Sequence, residues 1–205
     1  MTLGVGGHDT ATWPSRAGRK WLNPISRFFS NLVKHGDDRY FHPHPLTRSA
    51  AEKIADASGK DAYFIMVDGS SVVGYGMLRG WDEGYAVPSL AMAVDPHYRQ
   101  RGFGRQLLAY LHGQARARGA DQIRLKAYPS NRAAVALYES AGYRFSGQED
   151  GQRVGFIGLC EPEIFVSSSC AKADTISEAV EQLASHGIGR IELSGGTRLY
   201  DGIYG

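Results

Sequence analysis

The chain has 205 residues, 42% hydrophobic and 21% charged, which suits one globular domain of ordinary size, alone or with an appendage. Its formal net charge of +2 does not indicate a nucleic-acid or membrane-surface binder. No apolar run is long enough to span a bilayer and no signal peptide is evident, so we expect a cytoplasmic protein with neither nucleic acid nor membrane as partner. Cys160 and Cys170 are the two cysteines and are predicted to be reduced thiols, because they make neither a disulfide scaffold nor a four-ligand zinc site.

Charge is distributed unevenly along the chain. Residues 1–160 contain 20 Lys and Arg against 14 Asp and Glu, whereas residues 161–205 contain 3 against 7. Because the sign changes beside Pro162, the sequence predicts a main domain over 24–160 and a separate tail over 161–205. An N-terminal arm over 1–23 precedes the main domain. The arm shows no clear period and is expected to be loose, or to form at most one edge strand.

Two amphipathic helices are predicted at the start of the main domain. After Pro24, apolar residues recur at helical spacing as far as Val33, which predicts an inward-facing stripe on a helix over 24–35. Thr47 can cap a second helix that Gly59 ends.

Strands and helices then alternate. The apolar patterns predict strands over 63–67, 72–78, 89–94, 122–128, 143–147 and 153–159, and helices over 103–118 and 131–141. A turn signal over 68–70 joins the first two strands, so they should pair antiparallel. Elements mixed in this way, with short connections, predict an α/β (α+β) fold with a sheet covered by helices.

The segment between the third strand and the third helix has the arrangement that binds anions. The first N–H groups of a helix lack internal partners and lie at the positive end of its dipole. Gly102 and Gly104 let the backbone approach a ligand closely, and Arg99, Arg101 and Arg105 add positive charge around it. On these residues alone, a tight turn flanked by solvated arginines stays open as the alternative, and neither the P-loop nor the dinucleotide motif fits.

Two segments resemble the GNAT acetyltransferase family. Residues 99–104, Arg-Gln-Arg-Gly-Phe-Gly, resemble the acyl-CoA signature (Arg/Gln)-x-x-Gly-x-(Gly/Ala) of that family. Residues 131–145 resemble its Asn-x-x-Ala-x-x-Leu-Tyr-x-x-x-Gly-Phe segment, with Tyr143 in place of the usual Phe. The resemblance covers roughly 24–160 and implies a GNAT-like mixed, mostly antiparallel central sheet flanked by helices. It also implies acetyl-CoA (coenzyme A) as cosubstrate and acyl transfer to an amine.

The resemblance assigns roles to residues near this turn. The CoA-contacting set that it implies comprises Met92, Val94, Arg99, Arg101, Gly102, Phe103, Gly104, Arg105 and Asn131. Backbone amides of 101–105 would hold the diphosphate, and backbone groups of Met92 and Val94 would pair with the acyl arm as an extra strand would. An N–H at the end of that strand would stabilise the oxyanion formed when the amine attacks. Asn131 is equally suited to capping a helix.

Tyr138 matches the residue that in many members protonates the leaving thiolate, and the alternative is a tyrosine that only packs in the core. The general base is harder to assign, because no Glu lies in the strand 89–94, where several members keep theirs. Asp82 and Glu83, in the loop before that strand, are the nearest acids. Glu83 is the candidate base, with a solvated loop as the alternative.

The loop 36–45 lies where the family usually shapes the acceptor pocket. Its aromatic and acidic residues suit a polar cationic acceptor, and the alternative is a rigid loop, pinned by prolines, that packs Tyr40 and Phe41. His42 and His44 have no evident third ligand, so no metal site is predicted.

The tail has the pattern of one βαβ unit over 164–195. Around residues 167–170 and 192–196 it resembles the start of a sugar-phosphate isomerase or epimerase TIM barrel. Such a barrel takes about 250 residues, so the tail is not that enzyme. The predicted fold therefore includes a C-terminal βαβ appendage.

The function predicted from these features is direct, acetyl-CoA-dependent N-acetylation of a small amine, such as an amino sugar or a sugar-nucleotide precursor. A protein lysine or N-terminal acetyltransferase is the rival enzyme. A non-catalytic acyl-CoA-binding module is the rival of another class, motivated by the missing strand Glu. The oligomeric state is left open, a homodimer included.

Overall fold

A computed structural model of the chain describes residues 14–159, 166–167, 177–178, 181 and 191–192. The chain divides into two compact units, Met1–Leu159 and Cys160–Gly205. Both cysteines and most of the tail lie outside the described residues, so their predicted thiol state and the tail's likeness to a barrel enzyme stay predictions.

The first unit has the elements that the sequence predicts. Its helices are α1 Leu22–Lys34, α2 Arg48–Ala55, α3 Phe103–Arg116 and α4 Arg132–Ser140. Its strands are β1 Pro14–Arg16, β2 Ala62–Asp68, β3 Ser71–Arg79, β4 Ser89–Val94, β5 Gln122–Ala127, β6 Arg144–Glu149 and β7 Gln152–Gly158. Thr47 caps α2 by accepting from the Ala50 N–H, as predicted, but the helix ends before Gly59 is reached.

The seven strands form one sheet in the order β1-β2-β3-β4-β5-β7-β6. Every neighbouring pair is antiparallel except β4 and β5, which run parallel. The expectation of a mixed, mostly antiparallel sheet flanked by helices is confirmed. Within the predicted arm, Pro14–Arg16 forms the edge strand that the sequence left open.

Each face of the sheet carries an apolar core. One core joins α3 and α4 to the strands through residues such as Leu107, Leu111 and Tyr138, and the other buries α1 against Tyr75. Val33, predicted to face inward, is instead 47% exposed. At 100° per residue Val33 lies about 80° around α1 from Ile25, at the edge of the stripe, where the sheet no longer covers it.

β4 and β5 separate soon after they meet. They pair only at Ser89 with Arg124 and Leu90 with Leu125, although β4 continues to Val94 and β5 to Ala127. Beyond those pairs β4 stays bonded to β3, and β5 stays bonded to β7. A gap therefore opens within the sheet between two strands that keep their outer neighbours.

In the second unit, two short strands, β8 Val166–Ser167 and β9 Ile191–Glu192, pair in parallel. Residues 177–178 and 181, which lie between them in sequence, are helical. This is the strand, helix, parallel strand order predicted for the tail. Within the described ranges, no helix has the length and apolar character needed to cross a membrane.

A buried carboxylate fixes the turn that leaves β4. Asp95, 4% exposed, caps a short 3-10 helix, Pro96–Tyr98, by accepting from the His97 N–H at 2.9 Å. It also accepts from the side-chain amide of Asn31 on α1 at 3.2 Å. Burial alone would raise the pKa of Asp95, but the hydrogen bonds from His97 and Asn31 outweigh burial and lower the pKa. The ionised carboxylate therefore ties α1 to the turn.

Replacing this carboxylate by its neutral amide, Asp95→Asn, should lower the free energy of unfolding at pH 7 by about 1 kcal/mol, because charged hydrogen bonds become neutral. A lowered folded-state pKa contributes stability above the ordinary value of 3.8 and loses it as the pH falls through the folded value. The difference between wild type and variant should therefore shrink in acid, as measured by urea unfolding from pH 7 downward. Asp56→Asn, which alters an exposed pair with Arg19, is the matched control and should change stability little. A difference in the free energy of unfolding between wild type and Asp95→Asn that stays constant as the pH falls would contradict this account of Asp95.

Candidate functional site

The gap between β4 and β5 opens into a cleft of about 1310 Å³. Its walls come from β4, β5, the start of α4, the loop between α1 and α2, and the loop before β4. The volume exceeds the range of about 300–1,000 Å³ usual for small-molecule sites. The cleft therefore has room for an elongated ligand together with a second reactant.

Free backbone donors lie where α3 begins. Gly102 is the N-cap, with φ +82° and no side-chain acceptor. The first helical hydrogen bond runs from the Gln106 N–H to the Gly102 carbonyl. Within the described chain, the N–H groups of residues 103–105 have no hydrogen-bond acceptor. They form the donor set that an anion needs, at the positive end of the helix.

Gly104 lies where α3 packs near residues of α4 and β4 that line the cleft. A Cβ on this residue would lie 3.4 Å from a Leu137 methyl group and 4.0 Å from Met92 Cε. Gly104 and Met92 both line the cleft, as does Val94. The predicted phosphate turn and the predicted acyl-arm strand thus belong to one cavity.

Arg99 lines the cleft, but its charge already has a partner. Its Nη2 lies 2.7 Å from Asp37 Oδ2, and its Nε donates to the Val94 carbonyl at 3.1 Å. The side chain therefore joins the loop after α1 to the end of β4. The sequence placed Arg99 among the phosphate-binding cations, and the structure gives it this bracing contact as well.

Arg101 and Arg105 lie outside the cleft, in exposed positions at the same turn. The Arg101 guanidinium lies 5.3 Å from the centre of the Tyr98 ring. Neither side chain forms an ion pair with the described residues. They are cations at the rim, beside the free N–H groups.

Tyr138 belongs to both the core and the cleft. It is 6% exposed, its ring centroid lies 5.6 Å from that of Tyr143, and it also lines the cavity. Burial raises the pKa of Tyr138 to about 12. Among the described residues its hydroxyl has no hydrogen-bond partner. The position of Tyr138 is therefore compatible both with a role as proton donor in the cleft and with packing in the core.

Asn131 likewise meets both expectations that the sequence raised. Its side-chain oxygen accepts from the Ala134 N–H at 3.3 Å, which caps α4, and the residue lines the cleft.

The two candidate acids have different surroundings. Asp82 accepts from the N–H groups of Lys60 and Asp61, at 2.7 and 3.3 Å, and does not line the cleft. Glu83 does line the cleft, with its side chain 52% exposed and its Oε1 4.0 Å from Arg79 Nη2. Of the two, Glu83 is the one available to a bound amine.

The loop between α1 and α2 places its side chains in different environments. Phe41 is buried in the core, as the packing alternative predicted, and it also lines the cleft together with Tyr40 and His42. His44 turns inward, with Nε2 3.1 Å from the Tyr75 hydroxyl, and burial lowers its pKa. Throughout the described part of the chain, no three His, Cys, Asp or Glu residues are grouped as a metal site.

Comparison with known proteins gives matches to acetyltransferases. The sequence profile of the acetyltransferase (GNAT) family matches residues 27–143, more than half of the chain. The [ribosomal protein bS18]-alanine N-acetyltransferase of Escherichia coli strain K12 is 46% identical over 52 residues, 25% of this chain and 35% of the relative. The mycothiol acetyltransferase of Thermobispora bispora is 30% identical over 135 residues, 63% of this chain and 44% of the relative. The chain thus spans less than half the length of these curated relatives.

Solved structures share the fold. The GNAT domain of S. lividans PAT superposes with a TM-score of 0.62 at 17% identity, covering 71% of this chain and 89% of that one. The PaiA N-acetyltransferase of Thermoplasma acidophilum, solved in complex with coenzyme A, superposes with a TM-score of 0.61 at 12% identity. That match covers 73% of this chain and 99% of the other. These likenesses show the fold, and the profile match over 27–143 shows that the chain belongs to the GNAT acetyltransferase family.

Proposed function

We propose that this protein is an acetyl-CoA-dependent N-acetyltransferase that passes the acyl group directly from the thioester to a primary amine. One observation carries the proposal: the free N–H groups that start α3 adjoin the gap between β4 and β5, and Tyr138 lines the same cleft. Family membership supports it. A module that only binds acyl-CoA would not need a tyrosine hydroxyl at the cavity.

The diphosphate of the cosubstrate would accept from the N–H groups of residues 103–105. Because Gly102 supplies no competing side-chain acceptor, those donors stay available to a ligand. Arg101 and Arg105 at the rim would add charge-assisted contacts.

The direction of the β4 backbone suits an acyl arm in the gap. The Asp95 N–H donates to the Val73 carbonyl on the β3 side. Since groups alternate along an antiparallel strand, the N–H and C=O groups of Val94 and Met92 point the other way, toward the gap. The Val94 carbonyl accepts from Arg99, which leaves the Val94 N–H and both Met92 groups for the arm.

Acetyl-CoA, when bound, supplies the activated acyl carbon. The chain's contribution to the leaving group would be the Tyr138 hydroxyl, which donates a hydrogen bond, and then its proton, to the departing sulfur. A tyrosine whose pKa is raised to about 12 is protonated at neutral pH and so is ready to donate.

Two acceptor classes remain, each with its own support. A small amine is our first choice, supported by the 135-residue match to a mycothiol acetyltransferase. An amino sugar or sugar-nucleotide precursor is the form suggested by the tail's sequence. A protein α-amine is the second, supported by the 46% identical match to a ribosomal-protein alanine acetyltransferase.

A screen by mass spectrometry should separate these classes. The chain would be incubated with acetyl-CoA and either small amines, including amino sugars, or peptides with a free N-terminal alanine or an internal lysine. We expect an added acetyl group on small amines, with release of CoA. Acetylation confined to the peptides would reverse the order of the two classes, and acetyl-CoA binding without turnover on any amine would favour the binding module.

Removing the proposed acid should slow the reaction without weakening cosubstrate binding. Tyr138→Phe should lower kcat by about 100-fold or more, because the departing sulfur loses its proton donor. Its affinity for CoA, measured by calorimetry, should stay within about twofold of wild type. Tyr110→Phe, on α3 against Phe64 and outside the cleft, is the matched control. An unchanged kcat in Tyr138→Phe would remove Tyr138 from this role.

A further inference from the structure

A histidine and a tyrosine meet at the cleft from two distant segments. His42 lies in the loop between α1 and α2, and Tyr128 follows β5 directly. His42 Nε2 lies 3.2 Å from the Tyr128 hydroxyl, with the ring centroids 5.7 Å apart. Both residues line the cleft. From the sequence, His42 is only a candidate metal ligand, and no local pattern marks Tyr128.

The backbone fixes the direction of this hydrogen bond. His42 Nδ1 lies 2.8 Å from the Asp38 carbonyl oxygen. A carbonyl oxygen can only accept, so Nδ1 of the neutral ring bears the hydrogen and Nε2 bears the lone pair. The Tyr128 O–H is therefore the donor to His42 Nε2. Tyr128, His42 and the Asp38 carbonyl are thus linked by two consecutive hydrogen bonds.

Tyr128 stands across the gap from the acyl-arm strand. β4 and β5 are parallel, with Leu90 opposite Leu125, so three residues further on Tyr128 reaches the level of Ala93. Ala93 lies between Met92 and Val94, whose backbone groups point into the gap. Tyr128 therefore lies on the β5 side of the gap and lines the same cleft as Met92 and Val94.

The proposed reaction requires a group that accepts a proton at this place. A primary amine is largely protonated at neutral pH and must lose a proton before its lone pair can attack. Of the carboxylates among the described cleft residues, Asp37 is paired with Arg99, and Glu83 is half-exposed beside Arg79. His42 and Tyr128 offer an alternative route for that proton.

We propose, on the basis of the N-acetyl transfer proposed above, that Tyr128 and His42 form the relay that deprotonates the acceptor amine. One N–H bond of the ammonium breaks and its proton goes to the Tyr128 oxygen, while the tyrosine's own proton moves to His42 Nε2. The electron pair of the broken bond stays on the amine nitrogen, which then attacks. His42 becomes an imidazolium whose Nδ1–H stays bonded to the Asp38 carbonyl. Because His42 is exposed, it returns the proton to solvent.

Other charged groups face this pair from the surrounding elements. Those that line the cleft are Asp37, Arg39, Arg79, Glu83, Arg99, Arg124 and Lys126. Within the described chain none of them is hydrogen-bonded to His42 or Tyr128, and the Tyr40 ring lies 6.1 Å from that of Tyr128. The relay therefore depends on the histidine, the tyrosine and the Asp38 carbonyl.

The test compares pH profiles of His42→Gln and Tyr128→Phe with wild type. The probes are glucosamine and a peptide with a free N-terminal alanine, both with acetyl-CoA. At pH 7, kcat/KM should fall about 100-fold in each variant, with unchanged affinity for CoA. The pH profile of kcat/KM should differ between His42→Gln and wild type, and added imidazole should restore part of the variant's rate. The double variant should be no slower than either single one, because the two residues act as a unit.

Matched controls separate this role from a structural one. His35→Gln alters an exposed histidine whose Nδ1 is also bonded to a backbone carbonyl, and Tyr110→Phe alters a tyrosine outside the cleft. Both should retain the wild-type profile. The 15N shifts of the His42 ring provide a readout that needs no turnover, and a neutral ring with its hydrogen on Nε2 would overturn the relay.

The outcomes also distinguish the relay from the function on which it rests. An active wild type whose profile is unchanged in both variants overturns the relay alone, as does a profile that only Glu83→Gln alters. A wild type that binds acetyl-CoA but acetylates no amine overturns the proposed function, and the relay with it.

Discussion

The parting of β4 and β5 is the constraint on which the site depends. β4 stays paired with β3 and β5 stays paired with β7, but β4 and β5 pair with each other at only two positions. A row of backbone groups is therefore left without a strand partner inside the sheet. Unpaired backbone donors and acceptors away from water are costly unless something satisfies them. A ligand that lay along β4 as a further strand would satisfy them, and the free N–H groups of α3 belong to the same cleft.

The loop between α1 and α2 contacts both sides of the opening. Asp37 pairs with Arg99 just beyond β4, and His42 meets Tyr128 just beyond β5. Asn31, in the last turn of α1 before this loop, donates to the Asp95 carboxylate at the turn. The separation of the two strand ends is therefore braced by a segment that belongs to neither strand. The proposed acceptor relay and the proposed cosubstrate site share this brace.

The parts of the site that the sequence predicted are local ones. Gly102 at the start of α3, the helix periods and the Thr47 cap depend on near neighbours, and short-range geometry decides them. The contacts that could not be predicted from the sequence join pairs of residues separated by 62, 64 and 86 positions along the chain. These pairs are Arg99 with Asp37, Asn31 with Asp95, and Tyr128 with His42. No local pattern specifies such pairs, because only the packed sheet brings them together. The error at Val33 has the same cause, since the width of a buried stripe depends on what covers it.

The account depends most on the claim that the N–H groups of residues 103–105 hold the diphosphate of coenzyme A. Titration of 15N-labelled protein with CoA, followed by amide chemical shifts, tests it directly. We predict saturable shifts at those three amides and at Met92 and Val94, with little change at Leu111 inside α3. Saturable binding of CoA that leaves the three α3 amides unmoved would contradict the account.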